Sequence, residues 1–341
     1  MTRLVVAGPE AADEHRCAGH PERPDRVRAA IAGVDALDLG ADRVDAGPRD
    51  ASLAELTRVH TRAYLDRLEQ TSRAGAGLLD PDTFVSPASW PAALRAAGAG
   101  LAAVEALRSG LGDVGFVAAR PPGHHALADR AMGFCLLNNI AVAAAALAAD
   151  GERVLIVDWD VHHGNGTQAS FWDDDRVLYV STHQAPLYPG TGAVGEVGGP
   201  NATGLTVNVP LPAGATGDVL RQALESVAAP AVERFGPTWV LVSAGFDAHR
   251  DDPLADLALS AGDFAALARV VSGFAPAPGR LMLFLEGGYD LPALQSSVTA
   301  TLAALIGAPA RFEPPTAGGP GGDAVERACR VHAEPREHEL W

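Results

Sequence analysis

Short apolar segments alternate along this chain with longer stretches rich in alanine and leucine. Apolar runs without interspersed polar residues are typical of parallel strands that are buried on both faces. Repeated strand–helix alternation predicts an α/β fold, with an open, mostly parallel sheet covered by helices on both faces of a single domain. The predicted strands cover 4–6, 114–118, 154–157, 177–180, 205–209, 239–242 and 281–285. The predicted helices cover 24–34, 53–59, 63–69, 89–108, 138–149, 218–234, 261–271 and 292–306.

The composition excludes several classes of protein. The 341 residues include 26 basic and 42 acidic side chains, giving a formal net charge of −16. Nucleic acids and anionic membrane surfaces are bound mainly by clustered cations, so neither is expected as a partner. No apolar run reaches the length of a membrane span, and three cysteines fit neither a disulfide framework nor a zinc site. We therefore expect a reduced, cytoplasmic location.

Ionisable residues and glycines follow most of the predicted strands. In an open parallel sheet the carboxyl ends of the strands meet at one edge, where ligands bind. Polar side chains from distant parts of the sequence should therefore lie together. The segments concerned are RPPGHH (120–125), DWDVHHGNG (158–166), STH (181–183), SAGFDAHRDD (243–252) and EGGYD (286–290).

Two of these segments contain candidate metal ligands. Asp160 and His162 are two residues apart, so in extended backbone both side chains face the same side. With Asp247 from another strand end they would provide three ligands and leave a position open, as in catalytic zinc sites. The same residues also accept Fe(II), Co(II) or Mn(II). The alternative from spacing alone is that Asp160 and His162 only hydrogen-bond within a loop.

A histidine pair and a tyrosine are the candidates for proton transfer and oxyanion binding. His124 and His125 follow Pro-Pro-Gly and so lie on a loop, where one can accept a proton while the other supplies charge. Tyr289 follows Glu-Gly-Gly and could donate a hydrogen bond to a developing oxyanion. On the residues alone, the pair could equally be structural histidines and Tyr289 a packed side chain.

Taken together, the motifs resemble the zinc-dependent histone deacetylase family. The resemblance runs from about residue 15 to 305 and is closest to the class II and bacterial amidohydrolase members. It implies an arginase-like α/β fold with one large parallel sheet. The motifs are HPERPDR (20–26), RPPGHHA (120–126), MGFCLLNN (132–139), DWDVHHGNGTQ (158–168), YPGTG (188–192), SAGFDAHRDDPL (243–254) and LEGGYDL (285–291).

The resemblance assigns catalytic roles to residues of this chain. Asp160, His162 and Asp247 would hold zinc, with Fe²⁺ or Co²⁺ as alternatives. His125 would be the general base and then the general acid, oriented by Asn165. His124 would be its electrostatic partner, with Asp158 behind it, and Tyr289 would stabilise the oxyanion.

The resemblance also implies cation sites and a substrate tunnel. Asp158 and Ser181 would bind a structural K⁺ with backbone carbonyls that include Thr182, and a second K⁺ site is also expected. Arg26 would line an internal channel for acetate release. The substrate-binding residues would be Gly133, Phe134, Tyr188, Leu254 and Asp82.

The implied activity is the hydrolytic removal of acetyl or other acyl groups from lysine side chains of proteins or peptides, releasing acetate and a free amine. Acetylpolyamines or other small acetylated amines are the alternative substrates. Leu254 favours acyl-lysine because it cannot pair with a substrate ammonium, whereas the charge of −16 favours cationic amines. A non-catalytic protein that binds acylated ligands is a further alternative. The oligomeric state stays open.

The proline- and glycine-rich stretch after residue 313 predicts a domain boundary. We expect a catalytic domain at 1–313 and a linker and tail at 314–341, the tail beginning as a short helix.

Overall fold

The computed structural model describes residues 2–8 and 13–332. It contains one large sheet and a small hairpin. The strands are β1 (Leu4–Ala7), β2 (Arg43–Asp45), β3 (Gly77–Asp80), β4 (Thr83–Val85), β5 (Val114–Val117), β6 (Val154–Asp158), β7 (Val177–Gln184), β8 (Thr206–Leu211), β9 (Trp239–Ala244) and β10 (Leu281–Leu285). The large sheet has the order β2-β1-β5-β10-β9-β6-β7-β8, and its neighbouring strands pair in parallel. Strands β3 and β4 form the separate antiparallel hairpin.

Eleven α-helices occur in the described residues. They are α1 (Asp25–Asp35), α2 (Leu53–Leu56), α3 (Arg62–Ala74), α4 (Ser89–Arg108), α5 (Asn139–Ala149), α6 (Asn165–Ser170), α7 (Gly217–Ala223), α8 (Ala229–Phe235), α9 (Ala261–Ser272), α10 (Leu291–Ile306) and α11 (Gly322–His332). A 3-10 turn covers Gly40–Asp42, and a π-helical segment, Leu224–Ala228, joins α7 to α8. No helix among the described residues is long and apolar enough to cross a membrane.

The sheet separates two apolar cores, because successive side chains of a strand point to opposite faces. In β6, Leu155 and Val157 enter one core, whereas Val154 and Ile156 enter the other. Helices α1 and α7–α11 cover the first face, and α4 and α5 cover the second. Full burial of each such side chain contributes about 1.5–3 kcal/mol. The predicted fold, an α/β sheet with helices on both faces, is confirmed.

Helix α4 packs closely because it contains glycines. A Cβ atom at Gly98 would lie 2.0 Å from the carbonyl oxygen of Arg49, and one at Gly100 would lie 2.6 Å from the ring of Phe284. Glycine inside a helix normally costs about 1 kcal/mol relative to alanine. Here the missing side chains let the helix approach the sheet and the preceding loop.

Several elements differ from the predicted ones. The hairpin β3–β4 and the edge strand β2 were not expected, since they are three or four residues long and carry polar residues. Strand β7 continues to Gln184, so the STH segment lies within the strand and not after it. The predicted helix 218–234 is broken by the π-helical segment, close to Pro230, which lacks a backbone N–H group.

The C-terminal part of the described chain packs against the main core. Ala324, Val325 and Ala328 of α11 are buried there. The segment before α11 is held by hydrogen bonds, including those from Thr316 N to Asp263 and from Gly319 N to Thr216 Oγ1. Residues 314–332 thus lie on the same body as residues 13–313. The division at 313/314 stays a prediction, and 333–341 lie outside the described residues.

Candidate active site

The predicted functional residues converge at the carboxyl ends of four adjacent strands. His124 and His125 lie in the loop after β5, and Tyr289 lies in the loop after β10. Asp247 follows β9, whereas Asp160 and His162 follow β6. Because β5, β10, β9 and β6 are neighbours in the sheet, side chains more than 160 positions apart in sequence meet here.

Asp160, His162 and Asp247 form a compact group. Their potential ligand atoms all lie within 4.8 Å of one another. His162 Nδ1 is 3.1 Å from Asp160 Oδ1 and 3.3 Å from Asp247 Oδ2. The carboxylates are oriented from behind by backbone donors: Val161 N donates to Asp247 Oδ1 and Gly287 N donates to Asp160 Oδ2.

This group fits a divalent metal ion. Asp247 Oδ2 is buried and, apart from the His162 ring at 3.3 Å, has no hydrogen-bond partner among the described residues. A Cβ atom at Gly287 would lie 1.8 Å from that oxygen, so glycine is needed to leave the space open. Burial opposes a charge on His162, but its hydrogen bonds to the two carboxylates raise its pKa to about 10, which shows that the local field favours positive charge. One imidazole and two carboxylates suit zinc, iron(II) or cobalt(II).

His124 is buried between carboxylates. Its Nδ1 lies 3.1 Å from Asp158 Oδ2, and its Nε2 lies 3.9 Å from Asp160 Oδ1. Burial alone would favour the neutral ring, but the carboxylates of Asp160 and Asp158 outweigh this and raise the pKa of His124 to about 10. The surroundings of His124 therefore favour its protonated, positively charged form.

His125 has the opposite electrostatic environment. Burial, reinforced by the charges of His124 and His162, holds the pKa of His125 well below 6.5. Its Nδ1 lies 2.8 Å from the side-chain oxygen of Asn165. An amide oxygen only accepts hydrogen bonds, so Nδ1 carries the proton and Nε2 has a free lone pair. His125 is thus arranged to accept a proton.

Tyr289 lines the same cavity as the two histidines and is 8% exposed. Burial raises its pKa well above 10, so the hydroxyl stays protonated and can donate. The guanidinium carbon of Arg26 lies 4.7 Å from the centre of the ring. Arg26 is fully buried and contacts Glu22. It also donates hydrogen bonds to the backbone carbonyls of Glu286 and Gly288, which place its guanidinium next to Tyr289.

A cavity of about 190 Å³ leads to these residues. All five residues predicted to bind substrate line it, namely Asp82, Gly133, Phe134, Tyr188 and Leu254. The ring of Tyr188 stands edge-on to His125, with 5.2 Å between the ring centres. A Cβ atom at Gly133 would lie 2.4 Å from His125 Cδ2, so only glycine fits against the imidazole.

The predicted potassium ligands lie beside the histidine pair. Asp158 and Ser181 are paired residues of neighbouring strands, and both are buried. Asp158 accepts hydrogen bonds from Tyr179 OH and from Asp160 N. Ser181 Oγ is 3.0 Å from Nδ1 of His183, and Thr182 is the next residue of β7. The structure thus brings the three predicted residues together.

Two buried carboxylates were not predicted as functional residues. Glu286 accepts hydrogen bonds from the backbone N–H groups of Gly123 and His124, and burial raises its pKa to about 7. Asp252 accepts one from Tyr289 N. Both belong to segments that were recognised as polar strand ends. Their partners are backbone groups of distant loops, which no spacing rule reveals.

Comparison with known proteins agrees with this geometry. A family model described as histone deacetylase domain matches residues 20–305. Histone deacetylase 10, chloroplastic, of Oryza sativa is 42% identical over 325 residues, covering 88% of this chain and 73% of the rice protein. The histone deacetylase-like amidohydrolase of Pseudomonas aeruginosa is 42% identical over 278 residues, covering 80% of this chain and 73% of that protein.

A solved structure has the same fold. The crystal structure of the HDA15 HD domain superimposes with a TM-score of 0.88 at 36% sequence identity, covering 97% of this chain and 95% of that one. The resemblance noted in the sequence is therefore confirmed, and with it a deacetylase activity on amide bonds. This chain belongs to the histone deacetylase family of amide hydrolases.

Proposed function

We propose that this chain is a zinc-dependent deacylase that acts on acylated lysine side chains of proteins or peptides. The observation that carries the proposal is the meeting of a proton acceptor, a proton donor and a three-residue metal site at the base of one narrow cavity. Asp160, His162 and Asp247 would hold the zinc ion. When bound there, the ion would supply Lewis-acid activation of the acyl carbonyl and of the attacking water.

The protein residues divide the proton transfers between them. His125 Nε2 would accept the proton of the attacking water as its oxygen bonds to the acyl carbon. Tyr289 would donate a hydrogen bond to the acyl oxygen as that atom gains negative charge. His125 would then deliver its proton to the amine nitrogen as the C–N bond breaks. The products are a carboxylic acid, acetate in the simplest case, and a free amine.

The neighbouring residues would support these steps. Asn165 keeps the proton of His125 on Nδ1, so that Nε2 stays the accepting atom. The charge of His124, stabilised by Asp158, opposes a second charge on His125 and makes that imidazolium a stronger acid towards the leaving amine. The buried guanidinium of Arg26 would line the path by which acetate leaves.

We also propose a structural K⁺ ion bound by Asp158, Ser181 and the backbone at Thr182. Oxygen-only donor sets suit such a cation. The contact between Asp158 and His124 supports the proposal, because an ion bound at Asp158 would hold the carboxylate that faces His124.

The walls of the cavity favour an acyl-lysine substrate. Gly133, Phe134 and Tyr188 leave room for an unbranched alkyl chain, and Asp82 can accept a hydrogen bond from the substrate backbone. Leu254 offers an apolar surface where a polyamine would need a partner for its ammonium group. The observation that favours acetylpolyamines instead is the net charge of −16, which attracts cations.

Steady-state kinetics on an acetyl-lysine peptide and on acetylspermidine would test this choice. We expect a higher kcat/KM for the peptide. Leu254→Glu should shift the preference towards acetylspermidine by about tenfold or more, because an added carboxylate can pair with the ammonium. Leu254→Met is the matched control and should leave the ratio unchanged. A hundredfold preference of the wild type for acetylspermidine would contradict the proposal.

A further inference from the structure

The peptide group between Gly288 and Tyr289 is held from both ends by buried charged side chains. Arg26 Nε donates a hydrogen bond of 2.6 Å to the carbonyl oxygen of Gly288. On the opposite edge of the same peptide group, Tyr289 N donates a hydrogen bond of 2.6 Å to Asp252 Oδ2. This peptide group precedes the Cα atom from which the Tyr289 side chain extends, so its orientation determines where the hydroxyl lies.

Asp252 joins two loops of the active site. It is 6% exposed, and its Oδ1 accepts a hydrogen bond of 3.0 Å from Leu254 N in the loop after β9. Its Oδ2 also accepts a longer bond, 3.3 Å, from Asp290 N. One carboxylate therefore binds three backbone N–H groups and ties the Tyr289 loop to the segment that carries Asp247 and Leu254.

Alternative conformations of the Tyr289 loop are restricted on its other sides. Gly288 has φ +121°, a conformation that other residues rarely adopt, and a Cβ atom there would lie 3.2 Å from Phe246 and from Leu294. After the tyrosine, Asp290 caps helix α10 by accepting from Ala293 N. Within this turn, the N–H groups of Tyr289 and Asp290 both donate to Asp252, and the bond from Tyr289 is the shorter one.

We propose that Asp252 is a positioning residue for the proposed deacylation: its carboxylate fixes the Gly288–Tyr289 peptide group and thereby holds the Tyr289 hydroxyl at the acyl oxygen. Asp252 does not line the cavity, so we do not expect it to touch the substrate. It acts through the tyrosine backbone. The inference rests on the proposed function for its kinetic consequence only, because the hydrogen bonds are independent of substrate.

The first test compares Asp252→Ala and Asp252→Asn with Asp251→Asn in the zinc-loaded enzyme. Asp251 is the adjacent aspartate; it is largely exposed and its carboxylate lies 3.7 Å from the His249 ring, so its variant is the matched control. We expect kcat of Asp252→Ala to fall about 10- to 100-fold with KM within about twofold, since a misplaced group impairs the transition state rather than binding. Asparagine keeps only one of the two acceptor oxygens that bind these backbone N–H groups. The kcat of Asp252→Asn should therefore lie between those of the wild type and Asp252→Ala. Unchanged kcat in both Asp252 variants would overturn the proposal.

A double-mutant cycle separates positioning from a general structural effect. If Asp252 acts through the hydroxyl of Tyr289, adding Asp252→Ala to Tyr289→Phe should lower kcat by less than about threefold further. If the two substitutions lower kcat independently, so that their factors multiply in the double variant, the proposal is contradicted. Should Asp252→Ala fold poorly, the cycle is run with Asp252→Asn.

Hydrogen exchange gives a readout that needs neither substrate nor turnover. The amides of Tyr289 and Asp290 should exchange at least tenfold faster in Asp252→Ala or Asp252→Asn than in the wild type or Asp251→Asn. Equal protection in all four proteins would overturn the proposal. If exchange responds as expected but no acylated amine is hydrolysed by the wild type, the positioning contact stands and the proposed function fails.

Discussion

Two histidines that are adjacent in the chain have pKa values that their surroundings shift in opposite directions. The carboxylates near His124 raise its pKa to about 10, although burial opposes this. Burial and the neighbouring histidines hold the pKa of His125 well below 6.5. A pair of titratable groups whose pKa values are pushed apart marks the division between an electrostatic partner and a proton acceptor. This contrast is the main physical argument for their proposed roles.

The Asn165 side chain offers a direct test of the charge state of His125. Replacing it by aspartate puts a negative charge 2.8 Å from His125 Nδ1, the present distance of the amide oxygen. The charge stabilises the imidazolium, so the pKa of His125 should rise by about 1–3 units. Because only neutral His125 accepts a proton, the acidic limb of the kcat/KM–pH profile should move to higher pH. An unmoved limb in Asn165→Asp would rule out His125 as the base.

Gly133 should be required for activity because it lies directly against His125. Gly133→Ala would put a methyl group 2.4 Å from the imidazole. Gly190→Ala is the matched control: both residues have positive φ, +55° and +82°, but nothing lies within 4 Å of a Cβ atom at Gly190. Both variants should lose about 1–2 kcal/mol of stability from backbone strain. Only Gly133→Ala should lose kcat/KM, by about 100-fold or more; equal losses in the two variants would contradict the account.

At the scale of elements, the buried strands could be predicted but the edge elements could not. Strands β5, β6, β9 and β10 are continuous apolar runs in the sequence, and they carry the active site. The hairpin β3–β4 supplies the loop with Asp82, yet its strands of four and three residues are too short to leave a periodic signal. Asp252 and Glu286 were missed for a related reason, since they bind backbone groups, which have no sequence signature.

Helix α4 tests the packing argument at this scale. Gly98→Ala gains about 1 kcal/mol of helix propensity, but its methyl group would collide with the Arg49 carbonyl at 2.0 Å. We expect a net loss of about 1–3 kcal/mol in the free energy of unfolding, as for overpacked cores. Gly322→Ala, at the start of α11 with nothing within 4 Å, should be neutral or stabilising in the same urea titration. A stabilised Gly98→Ala protein would show that the close approach is not needed.

At the scale of the whole molecule, buried neutral histidines should limit stability in acid. Burial lowers the pKa of His60 to about 4, compared with 6.5 in the unfolded chain. Nδ1 of the His60 ring donates a hydrogen bond to Leu127 O, and Nε2 accepts one from Asn138 N. Burial is also the largest cause that lowers the pKa of His15 and of His163 to about 4, and that of His183 to about 3. Between pH 6.5 and 4 the unfolded state binds more protons, so stability falls as the pH falls.

His60→Gln isolates one such contribution, because glutamine can both donate and accept. In this variant the free energy of unfolding should depend less steeply on pH between 4 and 6.5, by up to about 1.4 kcal/mol per pH unit. Above pH 7 its curve should run parallel to that of the wild type, since His60 is then neutral in both states. Urea titrations at several pH values measure both slopes. Parallel curves over the whole range would contradict the assignment.

The most direct test of the central claim is acetate release from an acetyl-lysine peptide by zinc-loaded wild type and His125→Ala. We expect turnover by the wild type and a kcat/KM about 10²- to 10⁴-fold lower in the variant. Zinc content should be equal in the two, because His125 is not among the proposed ligands. Equal rates in the two proteins, or no acetate from the zinc-loaded wild type, would contradict it.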